Sequence, residues 1–155
     1  MQEILIRKLY SYIKENNPEL LWQLQQENAV TDWLKQKVDG INEQLNDLLT
    51  QDKAASLIEQ ECMELLTDDL RPSRFHYIRK VFEEEFPKDF ELMSADGQLE
   101  NAIILLLKNC EPAFEQFAFS EESQDDPLLR YTITGLIDEQ LHPSGNALSA
   151  DTLFD

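Results

Sequence analysis

Histidine and cysteine are scarce in this chain, and their spacing restricts the chemistry they can perform. Among 155 residues there are two histidines and two cysteines. Glu139 and His142 form a Glu-x-x-His pair, but a di-iron bundle needs two such pairs on facing helices. The other histidine, His76, follows Ser73 by three residues instead of a glutamate, so the sequence lacks the second pair. We therefore expect no metal site, and we interpret His142 as a histidine near the negative end of a helix dipole.

Nucleophilic and nucleotide-binding motifs are missing as well. The four glycines of the chain form neither a Gly-x-Ser-x-Gly elbow nor a phosphate-binding loop. Cys62 and Cys110 lie inside helical patterns without Cys-x-x-Cys spacing, which is typical of small buried hydrophobic residues. A dyad of either cysteine with His76 would depend wholly on the fold. The acids at 83–85 point in different directions around a helix, so they are typical of a solvated face.

A basic cluster stands out against the acidic background and is the candidate anion-binding or partner-binding site. It comprises Arg71, Ser73, Arg74, Arg79 and Lys80, interleaved with aromatic residues. Guanidinium groups and the free amides at a helix start bind carboxylates and phosphates. In so acidic a chain, arginines also pair with the chain's own carboxylates. Both interpretations remain open at this point: a binding site, or a set of surface ion pairs.

Composition and periodicity predict the elements that must position these residues. Leucine outnumbers valine by 24 to 3, and apolar residues recur every three or four positions. This pattern indicates amphipathic helices rather than strands. We predict an all-α, bundle-like single domain of seven or eight helices over residues 1–142. Residues 143–155 form a tail that we expect to be docked.

Prolines, glycines and capping residues set the predicted helix boundaries. We expect prolines in the first turn of two helices, at 18 and 127, whereas Pro87 is expected to end one. The most regular apolar stripe predicts one helix from Val30 to Leu48. Asp96 is expected to open a helix, and Glu111-Pro112 a short aromatic one. The expected caps are Asp52, Ser73 and Asp126. The helix after Asp52 is predicted to bury Ala55, Ile58, Cys62, Leu65 and Leu66.

The tail and the charge balance bear on association. Leu148, Leu153 and Phe154 are predicted to dock the tail on the chain itself or on a neighbour, and surplus apolar surface favours a homodimer. The net charge is −18 overall and becomes more negative along the chain: −3, −7 and −8 over residues 1–50, 51–100 and 101–155. Such a surface repels phosphates and anionic lipids, so we expect neither direct nucleic-acid binding nor membrane binding. Without a secretory signal at the N-terminus, we expect a cytoplasmic protein.

Four groups of residues between positions 5 and 137 carry a resemblance to a known family. They are Leu9 to Tyr12 followed by Pro18-Glu19; Ile58, Met63 and Leu66; Ser73-Arg74-Phe75 with Val81 and Glu85-Phe86; and Leu129, Ile133, Thr134 and Gly135. With these residues the chain resembles a family of small, uncharacterised, helical bacterial proteins classed as a domain of unknown function. Asn17 stands where that pattern leads us to expect a histidine. The resemblance implies an all-α fold and brings no known activity or catalytic residue.

These observations favour a non-enzymatic protein that binds another protein and needs no cofactor. One alternative is an acidic nucleic-acid mimic that occupies a basic or DNA-binding protein. A second alternative is a hydrolase or metal-dependent enzyme without a sequence motif. A mimic would arrange its acids in a row, whereas an enzyme would need a deep pocket in which histidine, cysteine or carboxylate groups converge.

Overall fold

The structure is a computed structural model that describes residues 1–143, and this part of the chain is helical throughout. It contains nine α-helices and one 3₁₀ turn, Asp68–Leu70, and no strand. The helices are α1 (Gln2–Asn16), α2 (Pro18–Gln26), α3 (Val30–Asp39), α4 (Asn42–Leu49), α5 (Ala55–Thr67), α6 (Arg74–Glu85), α7 (Pro87–Ala95), α8 (Leu99–Gln116) and α9 (Pro127–Leu141). The predicted all-α class is confirmed. The number of helices differs from the prediction because the chain departs from it in three places.

The first departure divides the predicted helix from Val30 to Leu48 into α3 and α4. Gly40 ends α3, and Ile41 has φ −110° and ψ 16°, which takes it out of the α-helical region. Val38 and Leu45 are nevertheless both buried, and they are seven residues apart. Because the apolar periodicity keeps its phase across the break, the sequence pattern of two short helices resembles that of one long helix.

The second departure is α7, which the sequence analysis missed. Pro87 does not only end α6; it occupies the first turn of α7, where its missing N–H needs no partner. Pro18 has the same position in α2, as predicted. Asp96 ends α7 instead of opening α8, and Gly97 follows with a φ of +72° that favours glycine. α7 buries no residue fully, so its apolar pattern is weak.

The third departure is Pro112, which lies inside α8 instead of starting a new helix. An internal proline removes one backbone hydrogen bond and costs about 3 kcal/mol relative to alanine. The residues around it, Cys110, Ala113 and Phe114, are buried, so the apolar face of α8 continues past the proline. This burial favours a continuous helix. The predicted cap Asp126 is confirmed, because it accepts a hydrogen bond from the Leu128 N–H at 2.9 Å.

The chain divides into two compact units, a first unit from Met1 to Ser73 and a second unit from Arg74 onward. The single domain expected over residues 1–142 stays a prediction. The buried residues of the first unit are Leu5, Leu9, Ile13, Leu21, Leu24, Leu34, Val38, Leu45, Ile58, Cys62 and Leu66. Those of the second unit are Phe75, Ile78, Val81, Phe82, Ile103, Ile104, Leu106, Leu107, Cys110, Ala113, Phe114, Leu129, Ile133 and Ile137. None of the described helices is long and apolar enough to cross a membrane.

Candidate functional site

The candidate site is an open cleft in the first unit, between α4 and α5. Its volume is about 580 Å³. Two leucines lie in it: Leu48 of α4, which is half-buried, and Leu65 of α5, which is 46% exposed. A leucine in a cleft of this size presents apolar surface that a partner can cover.

Four carboxylates surround these leucines. They are Asp47, Glu61, Glu64 and Asp68. Glu61 receives the Lys53 ammonium at 3.1 Å, and Asp68 lies 3.6 Å from the Arg71 guanidinium. Arg71 is the basic residue that lines the cleft, so carboxylates dominate its charge. The cleft is therefore lined by both apolar and acidic side chains.

The position of Leu65 corrects the sequence analysis, which placed this residue on the buried face of α5. Ile58, Cys62 and Leu66 form that face, with spacings of four residues. Leu65 lies at the edge of this stripe, on the side of the helix that carries Glu61. Leu66 is buried in the core and Leu65 is exposed, and Ala55, in the first turn of α5 and also predicted to be buried, is exposed as well. Ala54 precedes α5 at its N-cap position, so the predicted cap Asp52 is also corrected.

Arg71 closes the C-terminal end of α5. Its Nε donates to the carbonyl oxygen of Thr67 at 3.3 Å, and its Nη2 donates to the carbonyl oxygen of Glu64 at 3.2 Å. A cation at this end of a helix satisfies free carbonyl groups and interacts favourably with the helix dipole. Burial raises the pKa of the neighbouring Tyr12 hydroxyl, while Arg71 and a hydrogen bond with Thr67 oppose that rise. Arg71 thus supports the fold of the first unit.

Ser73 and Arg74 belong to different units. The Ser73 hydroxyl donates to the carbonyl oxygen of Asn16 at the end of α1. Arg74, the first residue of α6, pairs with Glu115 at 2.9 Å, and its guanidinium lies 5.2 Å from the centre of the Phe114 ring. This pairing and stacking occupy the guanidinium of Arg74 within the second unit.

The remaining members of the basic cluster lie further along α6. Arg79 approaches Glu83 to 3.8 Å, and its guanidinium lies 5.3 Å from the centre of the Phe90 ring. Lys80 is exposed. All three arginines of the cluster therefore have a carboxylate within 4 Å in their own unit. An anion-binding role for the cluster stays a prediction.

The histidines take part in contacts with neighbouring side chains. His142 ends α9, and its Nε2 lies 3.1 Å from a carboxylate oxygen of Asp89 in α7. The ring of His76 meets the ring of Phe75 edge-on, with 5.6 Å between their centres. Glu139 is exposed. In residues 1–143, the His, Cys, Asp and Glu side chains form no group of three or more that could hold a metal ion.

Both cysteines are free and buried. Burial raises the pKa of the Cys110 thiol to about 12. Burial, with a smaller contribution from Glu61, also raises the pKa of Cys62. Since the thiolate is the reactive form, both sulfurs are poor nucleophiles where they lie.

A second open groove, of about 480 Å³, lies in the second unit between the end of α6 and α9. Tyr131 at its margin is 80% exposed, and a Cβ added at Gly135 would meet no atom within 4 Å. The carboxylate of Glu85 in this groove already receives the Arg130 guanidinium at 2.7 Å. Glu85 and Asp138 are the carboxylates that line this groove, whereas four carboxylates line the cleft of the first unit, so we favour that cleft as a site for a cationic partner.

The α4–α5 cleft was not predicted from the sequence. The sequence pattern that could have predicted it is Leu65 between acidic residues on one edge of a helix. These acids are Glu61, Glu64 and Asp68. The predicted tail-docking residues Leu148, Leu153 and Phe154 lie outside the described residues. The homodimer stays a prediction.

Comparison with known proteins supplies a family. No curated protein and no solved structure matches the chain. One family model matches residues 5–143, which includes both the cleft and the basic cluster. The match agrees with the resemblance noted from the sequence. The chain therefore belongs to the DUF1896 family, which is described as a domain of unknown function.

Proposed function

We propose that this protein is a non-enzymatic interaction protein of the cytoplasm whose α4–α5 cleft binds a basic amphipathic helix of another protein. The observation that carries the proposal is the combination of Leu65, which is 46% exposed, with the four carboxylates around it. An amphipathic helix that enters a groove supplies apolar side chains to the centre and charged ones to the margin. The two buried free thiols suit a reducing compartment.

The two parts of the cleft have different roles in this proposal. Covering an exposed leucine contributes on the order of 1 kcal/mol, because apolar surface leaves water. The carboxylates accelerate association with a cationic partner and discriminate against anionic ones, more than they add affinity. Binding is therefore expected to weaken as the salt concentration rises, since salt screens exposed charges.

The test measures binding of a designed helical peptide of leucine and lysine by fluorescence anisotropy. Glu61→Lys/Asp68→Lys should weaken binding by about tenfold or more, which corresponds to about 1.4 kcal/mol. The matched control is Glu121→Lys/Glu122→Lys, which makes the same charge change in an exposed loop of the second unit. It should alter binding by less than about twofold, because it leaves the cleft intact.

Leu65→Ser separates helix binding from the purely electrostatic binding expected of a nucleic-acid mimic. We expect it to weaken peptide binding without changing the dependence on salt, since no charge is altered. If the cleft and loop charge variants lose affinity equally, net charge alone drives binding and the proposal is wrong. If Leu65→Ser binds the peptide as the wild type does, the cleft does not receive an amphipathic helix.

A further inference from the structure

The outward face of α1 carries a strip of residues opposite in charge to the cleft. Arg7, Tyr10 and Lys14 share this face, and all three are exposed, Tyr10 by 37%. Lys8, on the neighbouring face, pairs with Glu59 at 2.8 Å. Within the described part of the chain, by contrast, neither Arg7 nor Lys14 has an ion-pair partner. Exposed Glu3, four residues before Arg7, lies on the same face, so the strip carries two cations and one carboxylate and keeps a net charge of +1 in a chain of net charge −18.

The spacing of this strip matches the spacing of the cleft face of α5. In α5 and the turn after it, Leu65 follows Glu61 by four residues and precedes Asp68 by three. In α1, read from its C-terminal end, Tyr10 lies four residues from Lys14 and three from Arg7. Both strips span about 10 Å at 1.5 Å per residue. Thr67, with φ −104° and ψ 3°, departs from α-helical angles, and Asp68 begins the 3₁₀ turn, so the α-helical spacing holds between Glu61 and Leu65 and is not exact at Asp68.

We infer that the α4–α5 cleft receives α1 of a second copy of this chain, packed antiparallel to α5. Lys14 then faces Glu61, Tyr10 covers Leu65, and Arg7 faces Asp68. The inference rests on the proposed function, because it fills the same cleft with the same chemistry. Within one molecule the contact cannot form, because α1 packs against α5 through the opposite face, which carries Leu5, Leu9 and Ile13.

This self-association competes with any basic helix for the cleft. Repulsion between two chains of net charge −18 opposes it, so the complex is weak and depends on protein concentration. A partner helix with cations at the same spacing and without the acidic remainder of the chain displaces the second copy. The two copies thus cover each other's clefts until such a partner is present.

The test is sedimentation velocity of the full chain over a range of concentrations at low salt. The wild type should show a mass that rises from 18.1 kDa toward twice that value. Arg7→Glu/Lys14→Glu should weaken self-association by about tenfold or more, as should Glu61→Lys/Asp68→Lys. The matched control, Lys35→Glu/Lys88→Glu, makes the same charge change as the α1 variant on exposed residues outside the strip, the cleft and the basic cluster and should retain association.

Mixing the two double variants distinguishes a specific contact from general repulsion. The acidic α1 of one variant faces the basic cleft of the other, so the mixture should associate although each variant alone does not. A wild type that stays at 18.1 kDa, or a mixture that does not associate, would overturn the inference. The proposed function is measured separately. Arg7→Glu/Lys14→Glu should bind the leucine–lysine peptide at least as tightly as the wild type does, because it removes the competing second copy. Loss of peptide binding in the cleft variants supports that function even if self-association fails.

Discussion

The two units of this chain build their cores from different side chains. The fully buried hydrophobic residues of the first unit are leucine, isoleucine, valine and cysteine, whereas the second unit also buries Phe75, Phe82 and Phe114. Three of its rings, Tyr77, Phe114 and Phe119, meet edge to face with centres 4.7–5.6 Å apart. Each such pair contributes about 0.5–1.5 kcal/mol beyond the area it buries. The second unit therefore adds aromatic contacts to a set of smaller buried side chains that is as large as the one in the first unit.

The surfaces of the units differ in a related way. In the second unit, Arg74 and Arg79 lie over aromatic rings and also pair with carboxylates, and Arg130 pairs with two glutamates at 3.0 and 2.7 Å. Its guanidinium groups are thus used inside the fold. The first unit exposes Arg7 and Lys14 on one helix and a leucine among carboxylates on another. We conclude that the second unit uses its arginines within its own fold, while the first leaves Arg7 and Lys14 available to a partner.

The largest expected effect comes from truncating one core at a time. Phe114→Ala should reduce the free energy of unfolding by about 3–5 kcal/mol, and Leu9→Ala by about 2–5 kcal/mol, because both side chains are fully buried. Both tryptophans, Trp22 and Trp33, belong to the first unit, so their fluorescence in urea reports that unit, whereas circular dichroism reports all helices.

Phe114→Ala should shift the circular dichroism transition and leave the tryptophan transition nearly unchanged. Leu9→Ala is the matched control, and it should shift the tryptophan transition. If Phe114→Ala shifts both signals equally, the two cores unfold as one, and the comparison between units does not extend to their stability.

A smaller effect is expected from Cys110 at high pH. Its thiol has a pKa of about 12 in the folded chain instead of the ordinary 9.0. Below pH 9 the thiol is protonated in both the folded and the unfolded chain, so its contribution to the free energy of unfolding is fully present. As the pH rises from about 9 toward 12, only the unfolded chain releases the proton, and the free energy of unfolding falls by about 1.4 kcal/mol per pH unit. Urea denaturation at successive pH values should show this slope. Cys110→Ala should reduce it by about 1.4 kcal/mol per pH unit, while Cys62, whose pKa burial also raises, contributes a slope of the same sign that remains. An unchanged slope would contradict the assignment to this thiol.

The smallest expected effect compares one tyrosine from each unit. The Tyr77 hydroxyl is buried and has no hydrogen-bond partner among residues 1–143, whereas Tyr12 makes a hydrogen bond with Thr67. Tyr77→Phe should leave the free energy of unfolding unchanged or raise it by about 1 kcal/mol, because it removes an unsatisfied polar group. Tyr12→Phe should lower it by about 0.5–1.5 kcal/mol. The free energy of unfolding is measured by urea denaturation. If both variants lose the same amount, the Tyr77 hydroxyl also stabilises the fold, and the expected difference between the two tyrosines is wrong.

The sequence predicted the helical class and those boundaries that a local rule decides. Pro18 and Pro127 start helices and Asp126 caps one, because each of these effects involves only neighbouring residues. Pro87 and Pro112 show where local rules fail. The first starts a helix and the second lies inside one, and the difference arises from what the following residues bury rather than from the proline itself.

The cleft was harder to predict than the fold. Leu65 lies at the edge of a wide apolar stripe, and only the packing of α5 against its neighbours decides whether it enters the core. Arg71 was predicted to be a candidate anion ligand because its neighbours are basic in sequence. In the fold it turns back to the carbonyl oxygens of Thr67 and Glu64, which periodicity cannot reveal.

The dual position of Arg71 constrains how this surface can evolve. The same guanidinium lines the cleft and holds the last turn of α5. A substitution at position 71 changes the charge that the cleft presents to a partner, and it also destabilises the end of α5. A change that is selected for its effect on binding therefore affects stability as well. The carboxylate of Glu64, which is exposed, has no such structural role, whereas that of Asp68 pairs with Arg71 at 3.6 Å. Divergence in partner preference among relatives should therefore accumulate at acids such as Glu64, while position 71 changes only together with the residues that close the helix.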